Sequence, residues 1–368
     1  MSTKKSSKQP VAIAMSGGVD SLTTALLLKQ QGVDIWGIHI IVGVPPEKER
    51  HPDSFSLELE KTRKVLKKIE QSLEIEIKIV DLRDVFYKLI IKPFVNLYLQ
   101  GFTPNPCIPC NAKIKFGMLL HKSLELGAKA LATGHYARVK WDAVTERWQL
   151  LRGADRGKEQ SYFLYQLTQE QLKHVIFPLG EKFKREVYEY VEKKKLSGII
   201  SRESHEICFI PDNDYRGFIK KMAKIEDIPG EMIDKNGTVL GKHRGIFRYT
   251  IGQRRGIGIP SSEPYYVIGI YPKTNRVEIG RKEDLYGRKL VASNLNWVSI
   301  APPCSPFKAS VQIRYRHRAA AATIELIEEN KALIEFKKPQ KAITPGQFAV
   351  IYDDDLLLGG GQITEVIR

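Results

Sequence analysis

Cysteines and long hydrophobic runs are both scarce in this chain. Four cysteines in 368 residues are too few for a disulfide-rich scaffold and favour metal ligands, reactive thiols or buried fillers in a reducing compartment. No apolar stretch approaches the roughly 20 residues of a membrane-spanning helix, and no apolar segment follows the basic start MSTKKSSKQP, which excludes a secretory signal. We therefore expect a disordered tail at residues 1–10 and a cytoplasmic protein with no membrane partner.

Acidic residues are outnumbered by basic ones. The 58 Lys and Arg against 42 Asp and Glu give a formal net charge of +16, which attracts a polyanion such as nucleic acid. A generally solvated basic surface is the alternative from charge alone. The length favours two or three domains.

The first 135 residues alternate apolar runs with helical patterns. VAIAM, DIWGIHII, IEIKIVDL and AKALATGHYA predict strands, and the segments between them predict helices, the first of them at residues 20–31. This alternation predicts an α/β fold with a doubly wound parallel sheet, whose ligands bind at the carboxyl ends of the strands. SGGVDS and TGHYA both fall at such ends.

The sequence pattern changes twice after this region. Residues 165–225 have helical patterns in TQEQLKHVIF, KREVYEYVEKKKL and DYRGFIKKMAK. From there to the C-terminus, short alternating runs with frequent glycine predict a small β barrel.

The segment AMSGGVDS at residues 14–21 predicts an anion site, because it joins a strand to a helix N-terminus. It lacks the lysine of a Walker A loop and the third glycine of a dinucleotide fingerprint. We expect its serines and glycine N–H groups to hold a pyrophosphate and Asp20 to hold Mg²⁺, as in transfer of AMP to a substrate oxygen. A Gly-Gly turn with helix-capping side chains is the alternative.

Three cysteines occur near prolines or a histidine in the first 210 residues. Cys107 and Cys110 lie in TPNPCIPCN, and Cys208 lies in SHEICF. Together they would ligate an iron–sulfur cluster with one open position, or one would carry a persulfide that another resolves through a disulfide. A Cys₃His zinc site with His205 is a further alternative, whereas Cys304 has no evident partner and is interpreted as a packing or surface residue.

Several long motifs, taken in order, resemble the tRNA-specific 2-thiouridylases of the ATP-pyrophosphatase (PP-loop) superfamily, which place sulfur on the wobble uridine of tRNA. The motifs are SGGVDS, TPNPCIPCNAKIKF, ATGHYAR, QSYFLYQL, EICFIP, GKHRGIFRYTIGQRRGIGI, YYVIGIYPKTNRVEIG, VQIRYRH and LLLGGGQI. The resemblance runs from residue 11 to the C-terminus. It implies a PP-loop domain formed by residues 11–165 together with residues 190–212. It also implies a central tRNA-binding domain at 166–280 and a β barrel at 281–368.

The resemblance also implies roles for individual residues. Those implied to bind ATP are Ala14, Met15, Ser16, Gly17, Gly18, Val19, Asp20, Ser21, Ile40 and Gly134. Cys110 is the implied nucleophile and Cys208 the implied persulfide carrier. The residues implied to lie beside the target base or to contact tRNA are Asn105, Pro106, Cys107, His135, Lys158, Glu159, Gln160, Arg314, Tyr315 and Gln347.

The implied enzyme is a tRNA-uridine 2-sulfurtransferase that uses ATP and Mg²⁺. It adenylates the C2 oxygen of a flipped wobble uridine and exchanges it for sulfur, giving 2-thiouridine, AMP and pyrophosphate. The sulfur comes from a Cys208 persulfide, which leaves a Cys110–Cys208 disulfide, or from sulfide on a [4Fe–4S] cluster held by Cys107, Cys110 and Cys208. The third cysteine favours the cluster. A sulfur-donor protein or sulfide is the second expected partner of a chain that we expect to be monomeric when free.

The chain departs from the family pattern at a few places. Cys107 stands where many members have aspartate, Ala14 where glycine is usual and Glu203 where aspartate is common, and residues 41–55 lack the usual acidic, cysteine-containing loop. Two other functions stay open, namely a small-molecule adenylating synthase and an inactive RNA-binding relative. The basic charge argues against the first, and the intact SGGVDS motif argues against the second.

Overall fold

The apolar segments of the first half of the chain form a parallel sheet. The computed structural model describes residues 9–45, 52–200, 207–210 and 212–367, with no side chains for 52–58. The tail at residues 1–8, Glu203, His205 and residues 46–51 of the atypical 41–55 segment therefore lie outside the described part. The first seven strands are β1 (Val11–Ala14), β2 (Ile35–Ile41), β3 (Ile77–Asp81), β4 (Ala130–Ala132), β5 (Ala137–Asp142), β6 (Arg147–Arg152) and β7 (Val175–Ile176). Five of them pair in parallel in the order β3-β2-β1-β4-β7, which confirms the predicted α/β class.

The described chain divides into two units. Unit 1 comprises the described residues up to Leu89 together with Ile108–Phe209, and unit 2 comprises Ile90–Cys107 together with the described residues from Ile210 onward. The predicted domain limits stay a prediction. None of the described helices is both long and apolar enough to cross a membrane.

Helices alternate with the strands of unit 1. Leu22, Ala25 and Leu28 bury one side of the first helix in the core with the strand residues Val11 and Ile13, because their spacing of three residues places them on one face. The α-helices are Val19–Gln30, Pro52–Leu73, Arg83–Phe86, Leu120–Glu125, Gln169–Lys173 and Lys184–Lys193; Ser161–Leu164 and Ser197–Ile199 are 3₁₀, and Cys110–Leu119 is a π-helix. A π-helical run at Tyr87–Ile91 and a short turn at Cys107–Pro109 continue the chain between the units.

Two parts of unit 1 differ from the sequence prediction. TQEQLKHVIF is helical only at Gln169–Lys173, where Thr168 and Gln171 form a reciprocal capping box, and Val175–Ile176 then becomes the edge strand β7. β-Branched residues favour such a strand. The hairpin of β5 and β6, which pair in antiparallel register from Ala137↔Arg152 to Asp142↔Arg147, was not predicted.

Unit 2 contains the β barrel that the glycine-rich runs predict and, before it in the chain, a separate small sheet that was not predicted. β8 (Gly230–Ile233), β9 (Val239–His243), β10 (Tyr266–Tyr271) and β11 (Arg276–Gly280) form a sheet in the order β10-β11-β8-β9. A second set is β12 (Tyr286–Trp297), β13 (Phe307–Gln312), β14 (Ala320–Glu328), β15 (Lys331–Lys341), β16 (Phe348–Asp353) and β17 (Leu356–Ile367). It forms an antiparallel barrel in the order β12-β15-β14-β13-β16-β17, closed by pairing of β12 with β17. Closure leaves no exposed sheet edge in this barrel.

Residues 90–107 belong to unit 2 because they make specific contacts there. The Tyr98 ring stacks on Tyr215, with centroids 4.9 Å apart. Thr103 N–H donates to the Pro345 carbonyl at 3.1 Å, and the Gln347 amide donates to the Thr103 carbonyl at 2.7 Å. The remaining helices of unit 2 are the α-helices Lys92–Leu99 and Tyr215–Ala223 and the 3₁₀ turns Ile246–Arg248, Pro272–Thr274 and Lys282–Leu285.

Candidate functional site

The loop after β1 is shaped by its own serines and glycines. Gly17 adopts a φ of +83°, a region that glycine enters without steric cost. The Ser16 hydroxyl accepts from Gly18 N–H at 3.4 Å and lies 3.2 Å from the Ser21 hydroxyl, which donates to the Gly18 carbonyl at 3.0 Å. The loop therefore turns tightly into the start of the Val19–Gln30 helix, where N–H groups and the helix dipole favour an anion.

The loop borders a cavity of about 470 Å³, within the size range of ligand pockets. The cavity lies in unit 1 and brings together segments far apart in sequence. It is lined by Ala14, Met15, Ser16, Asp20, Ser21, Ile38, His39, Ile40, Val42, Cys110, Lys115, Leu119, Thr133, Gly134, His135, Gln160 and Cys208. Seven of the ten residues predicted to bind ATP are in this lining. Of the others, Val19 is buried in the core, and Gly17 and Gly18 form the turn.

Two of the three predicted cysteines meet in this cavity. Cys110 is half-buried and Cys208 is exposed, and both line it beside the loop. Cys107 belongs to unit 2, is exposed, and its backbone N–H donates to the Asn105 side-chain carbonyl at 3.1 Å. The arrangement fits a pair of cysteines that act on one substrate atom.

The described residues do not contain a ligand cluster for an iron–sulfur or zinc centre. No group of three or more His, Cys, Asp or Glu side chains in the described ranges is arranged around one point, so we derive no step through an iron–sulfur cluster. His205, the fourth ligand of the alternative zinc site, lies outside those ranges. Both metal centres stay predictions.

Gly134 is required where the loop after β4 approaches the helix start. A Cβ built on Gly134 would lie 2.7 Å from Asp20 Cβ and 3.0 Å from the Asp20 carbonyl carbon. Real Cβ atoms essentially never make such contacts. The close approach gives a physical reason for glycine at this predicted ATP position.

The Asp20 carboxylate accepts three hydrogen bonds. Lys184 Nζ lies 2.8 Å from each of its oxygens, and Tyr136 OH donates to Oδ1 at 2.8 Å. Sequence reasoning missed both partners. The signal for Lys184 was a cation in the first turn of its helix, where the helix dipole disfavours positive charge.

Two histidines in the cavity are held neutral by burial. His39 Nδ1 donates to the Met15 carbonyl at 2.6 Å, and burial lowers the pKa of His39 despite that bond. Burial, and then the Lys115 ammonium, lower the pKa of His135 well below its usual value, while its Nδ1 lies 2.8 Å from the Thr133 hydroxyl. His135, which the resemblance assigns to tRNA contact, is thus a neutral, buried imidazole in the cavity wall.

Lys115 was also missed, although it lies in the motif TPNPCIPCNAKIKF. The Cys110–Leu119 segment is a π-helix, in which each N–H bonds to the carbonyl five residues earlier. Residues five apart therefore share a face, and Cys110 and Lys115 both line the cavity. Lys115 therefore adds a cation to the lining that also contains Cys110 and the loop.

The other residues assigned to tRNA contact lie in both units. In unit 1, Glu159 is buried and accepts from Arg152 at 3.0 Å, Gln160 lines the cavity and accepts from Tyr136 N–H at 3.1 Å, and Lys158 is half-buried. In unit 2, Arg314 donates to the Lys341 carbonyl at 3.0 Å. Asn105, Tyr315 and Gln347 are half-buried and Pro106 is buried. Their contacts with RNA stay predictions.

A parallel α/β unit with an anion loop and two cysteines around one cavity defines a nucleotide-binding enzyme of the PP-loop class. Family models match residues 9–212 as "tRNA methyl transferase HUP domain", 216–281 as "tRNA methyl transferase PRC-barrel domain" and 287–363 as "Aminomethyltransferase beta-barrel domain". "tRNA-specific 2-thiouridylase MnmA 2" of Thermoanaerobacter sp. (strain X514) is 48% identical over 97% of this chain and 98% of that protein. "tRNA-specific 2-thiouridylase MnmA" of Geobacter metallireducens is 44% identical over 98% of each chain. The chain belongs to the tRNA-specific 2-thiouridylase family.

A solved structure, "U34-tRNA thiolase NcsA from Methanococcus maripaludis with its [4Fe-4S] cluster", is 20% identical and covers 59% of this chain and 70% of that chain. Its TM-score of 0.33 is too low to support an argument. Family membership supports ATP binding by the loop.

Proposed function

We propose that this chain is a tRNA 2-thiouridylase, which replaces the C2 oxygen of the wobble uridine by sulfur at the expense of ATP. The observation that carries the proposal is the shared cavity. Loop residues Ser16 and Asp20 lie in the same lining as Cys110 and Cys208. An activating phosphate site and a sulfur-handling pair are both needed, because the carbonyl oxygen of a pyrimidine is a poor leaving group.

In the first step the C2 oxygen attacks the α-phosphorus of ATP. The bond to the α–β bridging oxygen breaks, and pyrophosphate leaves with that electron pair while the uridine N3 proton is lost. The loop N–H groups and the hydroxyls of Ser16 and Ser21 would stabilise the leaving pyrophosphate. Because His39 and His135 are neutral, the positive charge at the phosphates would come from the helix start and from lysine side chains near the loop.

In the second step sulfur displaces AMP from C2. The terminal sulfur of a Cys208 persulfide attacks C2, and the C2–O bond breaks as AMP leaves. The Cys110 thiolate then attacks Cys208 Sγ, which breaks the S–S bond, leaves sulfur on C2 and forms a Cys110–Cys208 disulfide. A thiol reductant restores both cysteines, and a sulfur donor reloads Cys208.

Mg²⁺ would enter with ATP, since this ion usually binds through one or two carboxylates and the phosphates themselves. Asp20 would hold it, and the ion would neutralise charge on the leaving pyrophosphate. The monomeric state, the cytoplasmic compartment and the nature of the sulfur donor extend the proposal and stay predictions.

The family-model descriptions mention methyl transfer, whereas the curated relatives are named thiouridylases. Methyl transfer needs neither a pyrophosphate loop nor a pair of cysteines beside it. The lining of the cavity therefore favours sulfur transfer.

The test is mass analysis of tRNA nucleosides after incubation with ATP, Mg²⁺, a thiol reductant and either sulfide or a persulfide donor. We expect 2-thiouridine from the unaltered chain. Cys110→Ser and Cys208→Ser should lower the rate at least about a hundredfold, as loss of a nucleophile does, and should leave ATP binding unchanged. Cys304→Ser, which removes an exposed thiol of unit 2, is the matched control.

Three outcomes separate the alternatives. Methylated uridine, or ATP–pyrophosphate exchange that needs no tRNA, would contradict the proposal in favour of another reaction. Full activity of either the Cys110 or the Cys208 variant would contradict the persulfide scheme. Loss of activity in Cys107→Ser together with absorbance of a cluster after oxygen-free purification would support the cluster scheme instead.

A further inference from the structure

Lys184 is a buried cation that lies outside all the sequence motifs by which the chain resembles the thiouridylase family. It is the first residue of the Lys184–Lys193 helix and is only 8% exposed. Its ammonium lies 2.8 Å from both carboxylate oxygens of Asp20, 164 residues away in the chain. The Tyr136 and Tyr188 rings lie 5.8 and 5.2 Å from Nζ.

The position of the Lys184 ammonium costs free energy unless a favourable interaction with an anion offsets it. Burial of an ammonium carries a desolvation penalty, and the N-terminal turn of a helix disfavours positive charge. Its backbone N–H is held by Asp155 Oδ2 at 2.9 Å, and Glu186 accepts from Phe183 N–H at 2.7 Å, so the helix start is fixed by other residues. The Lys184 side chain therefore interacts with Asp20 and is not needed to fix the start of its own helix.

Asp20 connects Lys184 to the anion loop. The carboxylate is one residue into the Val19–Gln30 helix, lines the cavity and is 32% exposed. Walker loops carry a lysine that reaches the phosphates, and AMSGGVDS has none. The structure places an ammonium at this loop from another helix.

We propose that Lys184 is the pyrophosphate-binding cation of this site. Without nucleotide it neutralises Asp20 and keeps that carboxylate from repelling the incoming phosphates. With ATP bound, the Lys184 ammonium would pair with the β- and γ-phosphates, and Asp20 would be available to hold Mg²⁺. This inference rests on the proposed function only in taking ATP as the substrate.

The test measures affinity for three probes by calorimetry in the absence of tRNA: Mg²⁺–ATP, Mg²⁺–pyrophosphate and AMP. We expect Lys184→Met to weaken ATP and pyrophosphate binding about tenfold or more, the size of one charge-assisted contact. AMP, which lacks the β- and γ-phosphates, should bind with unchanged affinity. Arg185→Met, which removes the neighbouring cation with an 87% exposed side chain, should behave as the unaltered chain.

Lys184→Gln provides a second variant, because it keeps a hydrogen-bond donor for Asp20 and removes only the charge. It should show the same selective loss, and Lys184→Arg should restore part of it. Equal weakening of AMP and ATP would show a distorted loop, and unchanged ATP affinity in a folded variant would show a structural ion pair; either overturns the inference. Because no tRNA is present, absence of thiolation would refute the proposed function without affecting this result.

Discussion

His317 is a half-buried imidazole in unit 2 whose protonation is opposed by its surroundings. Burial, and then the Arg314 guanidinium, lower the pKa of His317 to about 4, against a partly opposing hydrogen bond with Gln340. Arg314 was assigned to tRNA contact from the resemblance. In the described structure the Arg314 guanidinium donates a hydrogen bond to the Lys341 carbonyl, and its positive charge disfavours protonation of His317.

This burial predicts a pH dependence of stability. The folded pKa of His317 lies below the unfolded value of about 6.5, so the unfolded chain binds the proton first as the pH falls. The free energy of unfolding should decrease between about pH 6.5 and pH 4 and level off below. One pKa unit is worth about 1.4 kcal/mol, and the partial exposure of the ring reduces this, so we expect about 1–2 kcal/mol from this residue.

Urea unfolding of the unaltered chain and of His317→Gln at several pH values measures the effect. As the pH falls through that window, the unaltered chain should lose stability relative to His317→Gln, because the variant has no imidazole that takes up a proton on unfolding. Parallel pH profiles for the two chains would contradict the prediction. The comparison cancels the contributions of His39, His135 and His243, whose pKa values burial also lowers.

At the scale of elements, the site depends on how closely one loop and one helix start approach each other. The residues after β4 lie against the first turn of the Val19–Gln30 helix, and Gly134 is the point of contact with Asp20. The π-helix Cys110–Leu119 brings Cys110 and Lys115 to the same cavity. The close approach of Gly134 to Asp20 and the shared lining of Cys110 and Lys115 are both formed by the protein itself, without a metal or a ligand.

Gly134→Ala should therefore disturb both stability and ATP binding. Its Cβ would require a shift of Asp20 backbone and side chain, and overpacking of this kind costs about 1–3 kcal/mol. We expect a lower midpoint of urea unfolding and weaker ATP binding by calorimetry. Gly198→Ala, where no atom lies within 4 Å of the new Cβ, is the control, and equal behaviour of the two variants would refute the close-contact argument.

At the scale of the whole molecule, charge determines how tRNA is attracted. The formal net charge is +16, and Arg254 and Arg255 of the GQRRG motif are exposed in unit 2. Exposed basic residues bind phosphates with release of counterions, which makes affinity salt-dependent.

We expect the logarithm of the tRNA association constant to fall linearly with the logarithm of salt concentration. The double variant Arg254→Gln, Arg255→Gln should reduce the slope by about 1–2, the number of phosphate contacts removed. Filter binding or fluorescence titration at several salt concentrations measures the slope. A flat response of the unaltered chain would refute phosphate-dominated binding, and an unchanged slope in the variant would exclude these two arginines.

Local patterns predicted most of the α/β unit and the kind of barrel that follows it. β1 to β4 were predicted because their apolar runs are short and their connections have helical periodicity. β7 was missed because its two residues follow a helix without a turn signal, and only pairing with β4 makes them a strand. The β5–β6 hairpin was missed because its strands are half-exposed and mix charged with apolar residues.

The sequence by itself determined the anion loop, since a Ser-Gly-Gly turn between strand and helix makes its contacts within eight residues. It also determined the family, through motifs spread along the whole chain. The resemblance had paired Cys110 with Cys208, and the structure has both in the lining of one cavity. Only the tertiary structure brought Lys184 to Asp20. The Lys184–Asp20 contact depends on how strands are ordered and helices packed, and the local pattern of residue types does not indicate which distant side chains will meet.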